Sequence, residues 1–182
     1  MSHYLPIFAR DASRDELAAA WRALLERWPW DWFATMTFRG SPHPEQADKA
    51  WRIWCSKVNR ALYGPRWHAK GRGVGWCRAT ELQKRGAIHF HALLVFDEPP
   101  RLRRLAYMDE WNKLAGFARI EPPKRSDAVA AYCAKYVTKE GEITLGGALG
   151  GHAPLGFELP TPARWNRTAA AREAWHAPRV VA

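Results

Sequence analysis

Two histidines of the sequence alternate within a run of apolar residues. His89 and His91 flank Phe90 in a stretch, residues 87–96, that is typical of a buried β-strand. Residues i and i+2 of a strand point the same way, about 7 Å apart, so both imidazoles leave one face. Phe90 points to the opposite face, where it can join a core. The pattern therefore predicts a pair of neighbouring nitrogen ligands.

The turn before the histidines brings a third candidate ligand to the same face. A three-residue turn at residues 84–86 places Gly86 where a left-handed backbone is needed. This register pairs Glu81 with His89, and cross-strand partners share a face. Gln83 lies beside them as an additional candidate. A two-residue turn would send Glu81 to the other face, so the prediction depends on the register.

Two imidazoles and one carboxylate leave coordination positions open, as in catalytic rather than structural metal sites. Mixed nitrogen and oxygen ligation suits Mn²⁺ or Mg²⁺, and Zn²⁺ accepts the same ligands. The alternative interpretation is a pair of ordinary strand histidines beside a surface carboxylate, because a bare H-x-H pattern arises easily.

A second motif places two phenols among amino groups. Tyr132, Lys135, Tyr136 and Lys139 have the i, i+3, i+4, i+7 spacing that puts them on one helical stripe. A protonated phenol, with a pKa of about 10, is a poor nucleophile. The two ammonium groups favour the phenolate and can hold a phosphate. The alternative is a packing face with two amphipathic tyrosines and two solvated lysines.

The elements that must position these motifs follow from hydrophobic periodicity and turn residues. Ser13 and Glu16 form a capping-box pattern at the start of the first helix. The predicted helices cover residues 14–28, 44–62 and 102–114, and a last one runs from Ser126 or Asp127 to Lys139. The predicted strands cover residues 32–38, 74–83, 87–96 and 117–121.

This order, βαββαβ after the first helix, is typical of a ferredoxin-like or RRM-like antiparallel sheet. We therefore predict an α+β fold with helices packed on one face. An N-terminal helix precedes it, and a helix that bears the tyrosines follows it. Residues 1–140 are expected to form one domain. Residues 141–182 form a Gly- and Pro-rich extension, without a predicted element, that is partly packed and disordered at its end.

The charge of the chain favours a polyanionic partner. It has 28 Lys and Arg against 18 Asp and Glu, a net charge of +10, and nucleic acid is the first candidate. Five basic residues in predicted loops are candidate DNA contacts: Arg66, Lys70, Arg72, Lys84 and Arg85. The eleven tryptophans are expected to divide between the core and base stacking.

The three cysteines are odd in number and form no CxxC pair, so neither a disulfide framework nor a zinc ribbon is indicated. A reduced, cytoplasmic setting fits this pattern. The N-terminal residues do not resemble a signal peptide, and no apolar stretch approaches transmembrane length. No membrane partner is therefore expected.

Three segments together resemble the HUH endonuclease superfamily, and within it the rolling-circle replication initiators (Rep proteins) of phages and plasmids with paired tyrosines. They are residues 33–38, residues 81–91 and residues 132–139, in that order along the chain. The resemblance covers residues 32–139 and marks residues 1–140 as the nuclease domain. It implies sequence-specific nicking and joining of single-stranded DNA.

The resemblance also implies residue roles. His89 and His91 would bind the divalent metal with help from Glu81. Tyr136 would attack a phosphodiester, become linked to the 5′ phosphate and release a 3′ hydroxyl that primes synthesis. Tyr132 would be the second nucleophile. Two lysines would position or activate the phenols and the phosphate, namely Lys135 and Lys139.

The expected substrate is single-stranded or hairpin DNA at a replication origin. No GxxxxGK[ST] phosphate-binding motif occurs, so we expect a host or partner helicase and polymerase. Rival interpretations are a plasmid relaxase or a single-strand transposase, although paired tyrosines argue against the usual single-tyrosine transposase. From other classes, a non-catalytic single-strand binder and a zinc-stabilised structural domain remain alternatives.

Overall fold

The computed structural model describes residues 13–83, 86–97, 102–123, 132 and 142–149, and the structural statements below refer to these residues. Its helices are α1 (Arg14–Leu25), α2 (Pro44–Tyr63) and α3 (Arg104–Leu114). Its strands are β1 (Trp32–Phe38), β2 (Gly75–Leu82), β3 (Ile88–Val95), β4 (Gly116–Glu121) and β5 (Glu142–Gly147). The predicted α+β class is confirmed, and the predicted elements within these residues are present.

The first helix begins as predicted and ends earlier. The Ser13 side chain accepts a hydrogen bond from the Glu16 amide, and the Glu16 carboxylate accepts one from the Ser13 amide. This capping box satisfies two amides at the helix start. The helix was expected to reach residue 28 but ends at Leu25, whose carbonyl accepts a 2.7 Å hydrogen bond from the Trp30 indole. The Trp30 side chain therefore supplies a hydrogen-bond donor to a carbonyl at the helix end.

The five strands form one antiparallel sheet in the order β4-β1-β3-β2-β5. The outer strand β5 lies in the extension where the sequence predicted no element. A Cβ on Gly146 would lie 2.4 Å from the Trp76 ring, and Gly147 has a φ of 69°. These glycines let β5 approach the indole, so a composition typical of a loop here forms an edge strand.

The sheet is covered differently on its two faces. Side chains of α2 and α3, among them Trp51, pack on one face with Phe90. The opposite face is covered over part of its area by α1, in a second cluster that contains Leu93. The expectation of helices on one face therefore holds for α2 and α3, whereas α1 lies on the other. The rest of that second face carries His89 and Phe117; no helix of the described residues covers it, and it is called the open face below.

The tryptophans of the described residues serve the core. Eight of them are buried: Trp21, Trp30, Trp32, Trp51, Trp54, Trp67, Trp76 and Trp111. Trp28 is half-buried and contacts the ring of Trp30. The core part of the expected division is therefore confirmed for eight of these nine, and base stacking by other indoles stays a prediction, since Trp165 and Trp175 lie outside the described residues. An indole buries a large apolar area, and the packing of this small sheet uses it.

Candidate active site

The hairpin that carries the candidate ligands has the predicted register. Glu81 pairs with His89 across β2 and β3. The Gln83 amide donates to the Ala87 carbonyl at 2.9 Å, and Gly86 has a φ of 76°. The left-handed glycine therefore closes the turn as expected, and Glu81 shares a face with the histidines. Lys84 and Arg85, the other residues of the turn, lie outside the described residues.

Two threonines of the neighbouring strand contact the histidines from the side. β1 pairs Thr37 with His89 and Thr35 with His91. The Thr37 Oγ1 lies 3.0 Å from Nδ1 of His89, and the Thr35 Oγ1 lies 3.3 Å from Nδ1 of His91. When Nδ1 carries the proton and donates to the hydroxyl, Nε2 holds the lone pair that binds a metal. The contacts therefore hold the orientation of both rings, and each hydroxyl can act as donor or acceptor according to the tautomer.

No role was predicted for Thr35 and Thr37 from the sequence, although both lie in residues 33–38, the first of the three segments that carry the resemblance. A signal was present, because T-x-T alternates on β1 as H-x-H does on β3. The two patterns meet only through the long-range pairing of these strands.

The predicted ligands lie beside one another on the same face of the sheet. The Glu81 Oε2 lies 3.6 Å from Nε2 of His91, and the two imidazole centroids are 4.4 Å apart. Gln83 Nε2 lies 3.3 Å from Nδ1 of His89, the nitrogen that Thr37 also contacts. Gln83 therefore supports the orientation of the His89 ring, while the carboxylate faces His91.

The donor set fits a divalent cation, although the side chains do not already form a closed site. Within the described residues, no three His, Cys, Asp or Glu side chains converge as a metal-binding group. Two ligands that each lie about 2.1 Å from one ion are at most about 4.2 Å apart. The 3.6 Å between the Glu81 and His91 atoms satisfies this limit. Side-chain adjustment at His89 and Glu81 would complete the set.

Tyr132 is buried in the second cluster, on the same face of the sheet as the histidines. Its side chain is 3% exposed, and its hydroxyl donates to the backbone carbonyl of His91 at 3.1 Å. Its ring meets the edge of Phe33, which in turn stacks on the His91 imidazole, and its hydroxyl lies 3.9 Å from the Cys77 sulfur. Tyr132 therefore connects its own segment to the backbone of a candidate ligand, His91.

The remaining residues of the tyrosine motif, Lys135, Tyr136 and Lys139, lie outside the described residues.

The basic turn after α2 is distant from the histidines. Arg66 and Lys70 are exposed, whereas Arg72 pairs with Asp97 at 3.2 Å and lies over the ring of Tyr63. This turn precedes the first residue of β2, and Glu81 follows near the other end of the strand. At about 3.4 Å per residue, six residues of strand separate them by about 20 Å. The structure therefore does not bring these cations together with the candidate ligands.

Comparisons with known proteins give one family. The model of a family of replication-associated proteins, of the ORF2 type, matches residues 31–141, that is 111 of the 182 residues. The match spans β1 to β4 and includes the histidine and tyrosine motifs. No curated protein and no solved structure matches significantly. None of the helices in the described ranges is both long enough and apolar enough to cross a membrane.

Proposed function

Because the chain belongs to this family of ORF2-type replication-associated proteins, we propose that it nicks and rejoins single-stranded DNA as an HUH-type endonuclease. As a member of that family, it is a replication initiator-type protein. The observation that carries the finer proposal is the open sheet face on which His89, His91 and Glu81 lie as neighbours, with two threonines beside the imidazoles. We also propose that the sheet and its helices have the ferredoxin-like arrangement.

The proposed reaction is a transesterification. The oxygen of Tyr136, as phenolate, attacks the phosphorus of a phosphodiester, and a new P–O bond forms as the bond to the 3′ oxygen breaks. The 3′ oxygen leaves and takes up one proton. The phenol has released one proton to form the phenolate, so the protons balance. The products are a 5′-phosphotyrosine and a free 3′ hydroxyl. One ester bond replaces another, so rejoining the strand needs no nucleotide hydrolysis.

The amino groups in the tyrosine motif would assist this step. Lys135 and Lys139 stabilise the negative charge of the phenolate and attract the scissile phosphate. The resemblance implied that Tyr132 is a second nucleophile. Its burial and its hydrogen bond to the His91 carbonyl support a positioning role instead, in which it seats the helix one turn before Tyr136.

The metal ligands in the proposal are His89, His91 and Glu81. A bound Mn²⁺ or Mg²⁺ would neutralise phosphate charge and stabilise the developing charge on the leaving oxygen, and Zn²⁺ accepts the same ligands. The residues of this chain orient the imidazoles. Thr35 and Thr37 contact Nδ1 of each ring, which keeps both Nε2 atoms directed away from the neighbouring strand.

The proposed substrate is single-stranded or hairpin DNA at an origin, because the scissile strand must lie unpaired across the open face. The net charge of +10 favours its approach. A host or partner helicase and a polymerase would complete replication from the released 3′ hydroxyl.

The proposal is tested with single-stranded oligonucleotides tiled across the DNA that flanks the coding sequence, incubated with the full chain. In Mn²⁺ we expect one or a few oligonucleotides to be cut and the 3′-side fragment to migrate with the protein on a denaturing gel. EDTA should prevent both. Cleavage without a protein-linked fragment would contradict the tyrosine mechanism. Binding without any cleavage would show that the chain is a non-catalytic single-strand binder.

The threonine contacts make a separate prediction. Thr37→Val removes the hydroxyl beside His89 while it keeps the side-chain shape, so Mn²⁺ affinity should fall about tenfold or more. Isothermal titration with Mn²⁺ measures this in the absence of DNA. Thr80→Val is the matched control, because Thr80 pairs with Phe90 and lies on the opposite face of the sheet. Equal affinity of wild type and Thr37→Val would show that the hydroxyl does not orient the ligand.

A further inference from the structure

One aromatic side chain stands out on the open face. Phe117 of β4 is 60% exposed, and it is the only exposed Phe, Tyr or Trp among the described residues. Its neighbours in the strand, Ala118 and Gly116, are buried. A single exposed apolar residue is ordinary on a protein surface, so its position must carry the argument.

Phe117 lies in the same row of the sheet as the candidate ligands. β4 pairs it with Thr37, β1 pairs Thr37 with His89, and β2 pairs Glu81 with His89. Cross-strand partners share a face, so the phenyl ring stands on the side of the sheet that presents the imidazoles. Strands are about 4.8 Å apart, which places Phe117 about 10 Å from His89. A strand of a few nucleotides covers that distance, so one DNA strand can reach both places.

A basic residue lies near the Phe117 ring, in the next row of the sheet. Arg119 pairs with Thr35, which pairs with His91, and its side chain is 64% exposed. Its guanidinium contacts the Glu121 carboxylate at 2.8 Å, which holds it along the strand edge. Ala118 and Ile120, on the alternate positions, face the core. The edge therefore presents a ring and, beside it on the same face, an exposed guanidinium that is paired with a carboxylate.

We infer that Phe117 and Arg119 form a binding subsite for single-stranded DNA, in which an unpaired base stacks on the phenyl ring and Arg119 contacts the adjacent phosphate. An aromatic ring beside a cation is the combination that single-strand binders use, because every base has a face that stacks. Among the aromatic side chains of the described residues, Phe117 has the exposure that base stacking needs. The inference rests on the proposed function, since it concerns how that substrate is held.

The experiment measures binding apart from cleavage. The full chain with Tyr136→Phe is titrated, in EDTA, into a fluorescein-labelled 20-nucleotide oligothymidylate, and fluorescence anisotropy reports the affinity. Adding Phe117→Ala should weaken binding about tenfold, within the range that loss of one stacked base produces. Phe117→Trp should restore it. Leu105→Ala is the matched control, because Leu105 is 71% exposed on α3 and should bind as the parent does.

Photocrosslinking locates the base. A thymidylate oligonucleotide that carries 5-iodouracil should crosslink on irradiation to the tryptic peptide of residues 114–119, which contains Phe117. Arg119→Gln should lower the affinity and reduce its dependence on salt.

The outcomes separate this inference from the proposed function. If Phe117→Ala binds within about twofold of the parent while the wild type still forms the covalent adduct, the subsite is wrong and the proposed function stands. If the wild type neither binds the oligothymidylate nor forms an adduct, both are wrong. A dimer that Phe117→Ala converts to a monomer, with unchanged DNA affinity, would assign the ring to contact with a second copy and overturn the inference.

Discussion

Tyr136→Phe should abolish the covalent protein–DNA adduct, whereas Tyr132→Phe should retain it. The first substitution removes the proposed nucleophile, and adduct formation should fall by at least about a thousandfold. The second removes the hydroxyl of a residue that is only 3% exposed. That hydroxyl donates a hydrogen bond to the His91 carbonyl. Both variants are compared on denaturing gels with the oligonucleotide that the wild type cleaves.

Tyr132→Phe should still be distinguishable from wild type by stability. The His91 carbonyl loses a buried hydrogen bond, which costs about 1 kcal/mol or somewhat more. Thermal unfolding should therefore shift to lower temperature for Tyr132→Phe and stay near the wild-type value for Tyr136→Phe. If each single variant forms the adduct at full yield and only the double variant fails, the two tyrosines are interchangeable nucleophiles and Tyr132 must leave its buried position.

The second large effect concerns the histidines. His89→Ala and His91→Ala should each abolish cleavage and retain most of the affinity for single-stranded DNA. Each substitution removes one of the two imidazoles that lie beside Glu81, whereas the charges and rings proposed to hold the DNA strand remain. Cleavage is measured in Mn²⁺, and affinity is measured in EDTA by fluorescence anisotropy.

The fold provides the control for this prediction. His91 is 8% exposed, so its removal also leaves a small cavity, and circular dichroism must show a folded protein before the loss of cleavage is interpreted. A catalytic metal predicts that EDTA leaves the wild-type unfolding transition nearly unchanged. A transition that collapses in EDTA would instead indicate a structural zinc site. Equal loss of cleavage and DNA affinity in both variants would place the histidines in binding or folding.

Local signals in the sequence were sufficient for the three helices, for four of the five strands of the described residues and for one register. Gly86 favoured a three-residue turn, and that register placed Glu81 opposite His89 as observed. Likewise, the Ser13–Glu16 capping box marked the start of α1 correctly. These features depend on residues a few positions apart, whose backbone preferences act without the rest of the fold.

Long-range contacts decided the rest. The pairing of β1 with β3 joins Thr35 and Thr37 to histidines more than fifty residues away. The position of α1 on the second face, the burial of the tryptophans and the docking of β5 also depend on segments far apart in the chain. The spacing of a tryptophan in the sequence of a helix is the same whether the sheet covers its indole or leaves it exposed.

By itself, then, the sequence determined which groups can bind a metal or attack a phosphate, since residue type and local spacing set that chemistry. Only the tertiary structure decided that Tyr132 faces the His91 carbonyl and that Phe117 stands exposed beside the histidine face. Which side chains end up in the core depends on where the sheet and its helices meet. That depends on packing summed over the whole domain rather than on any one motif.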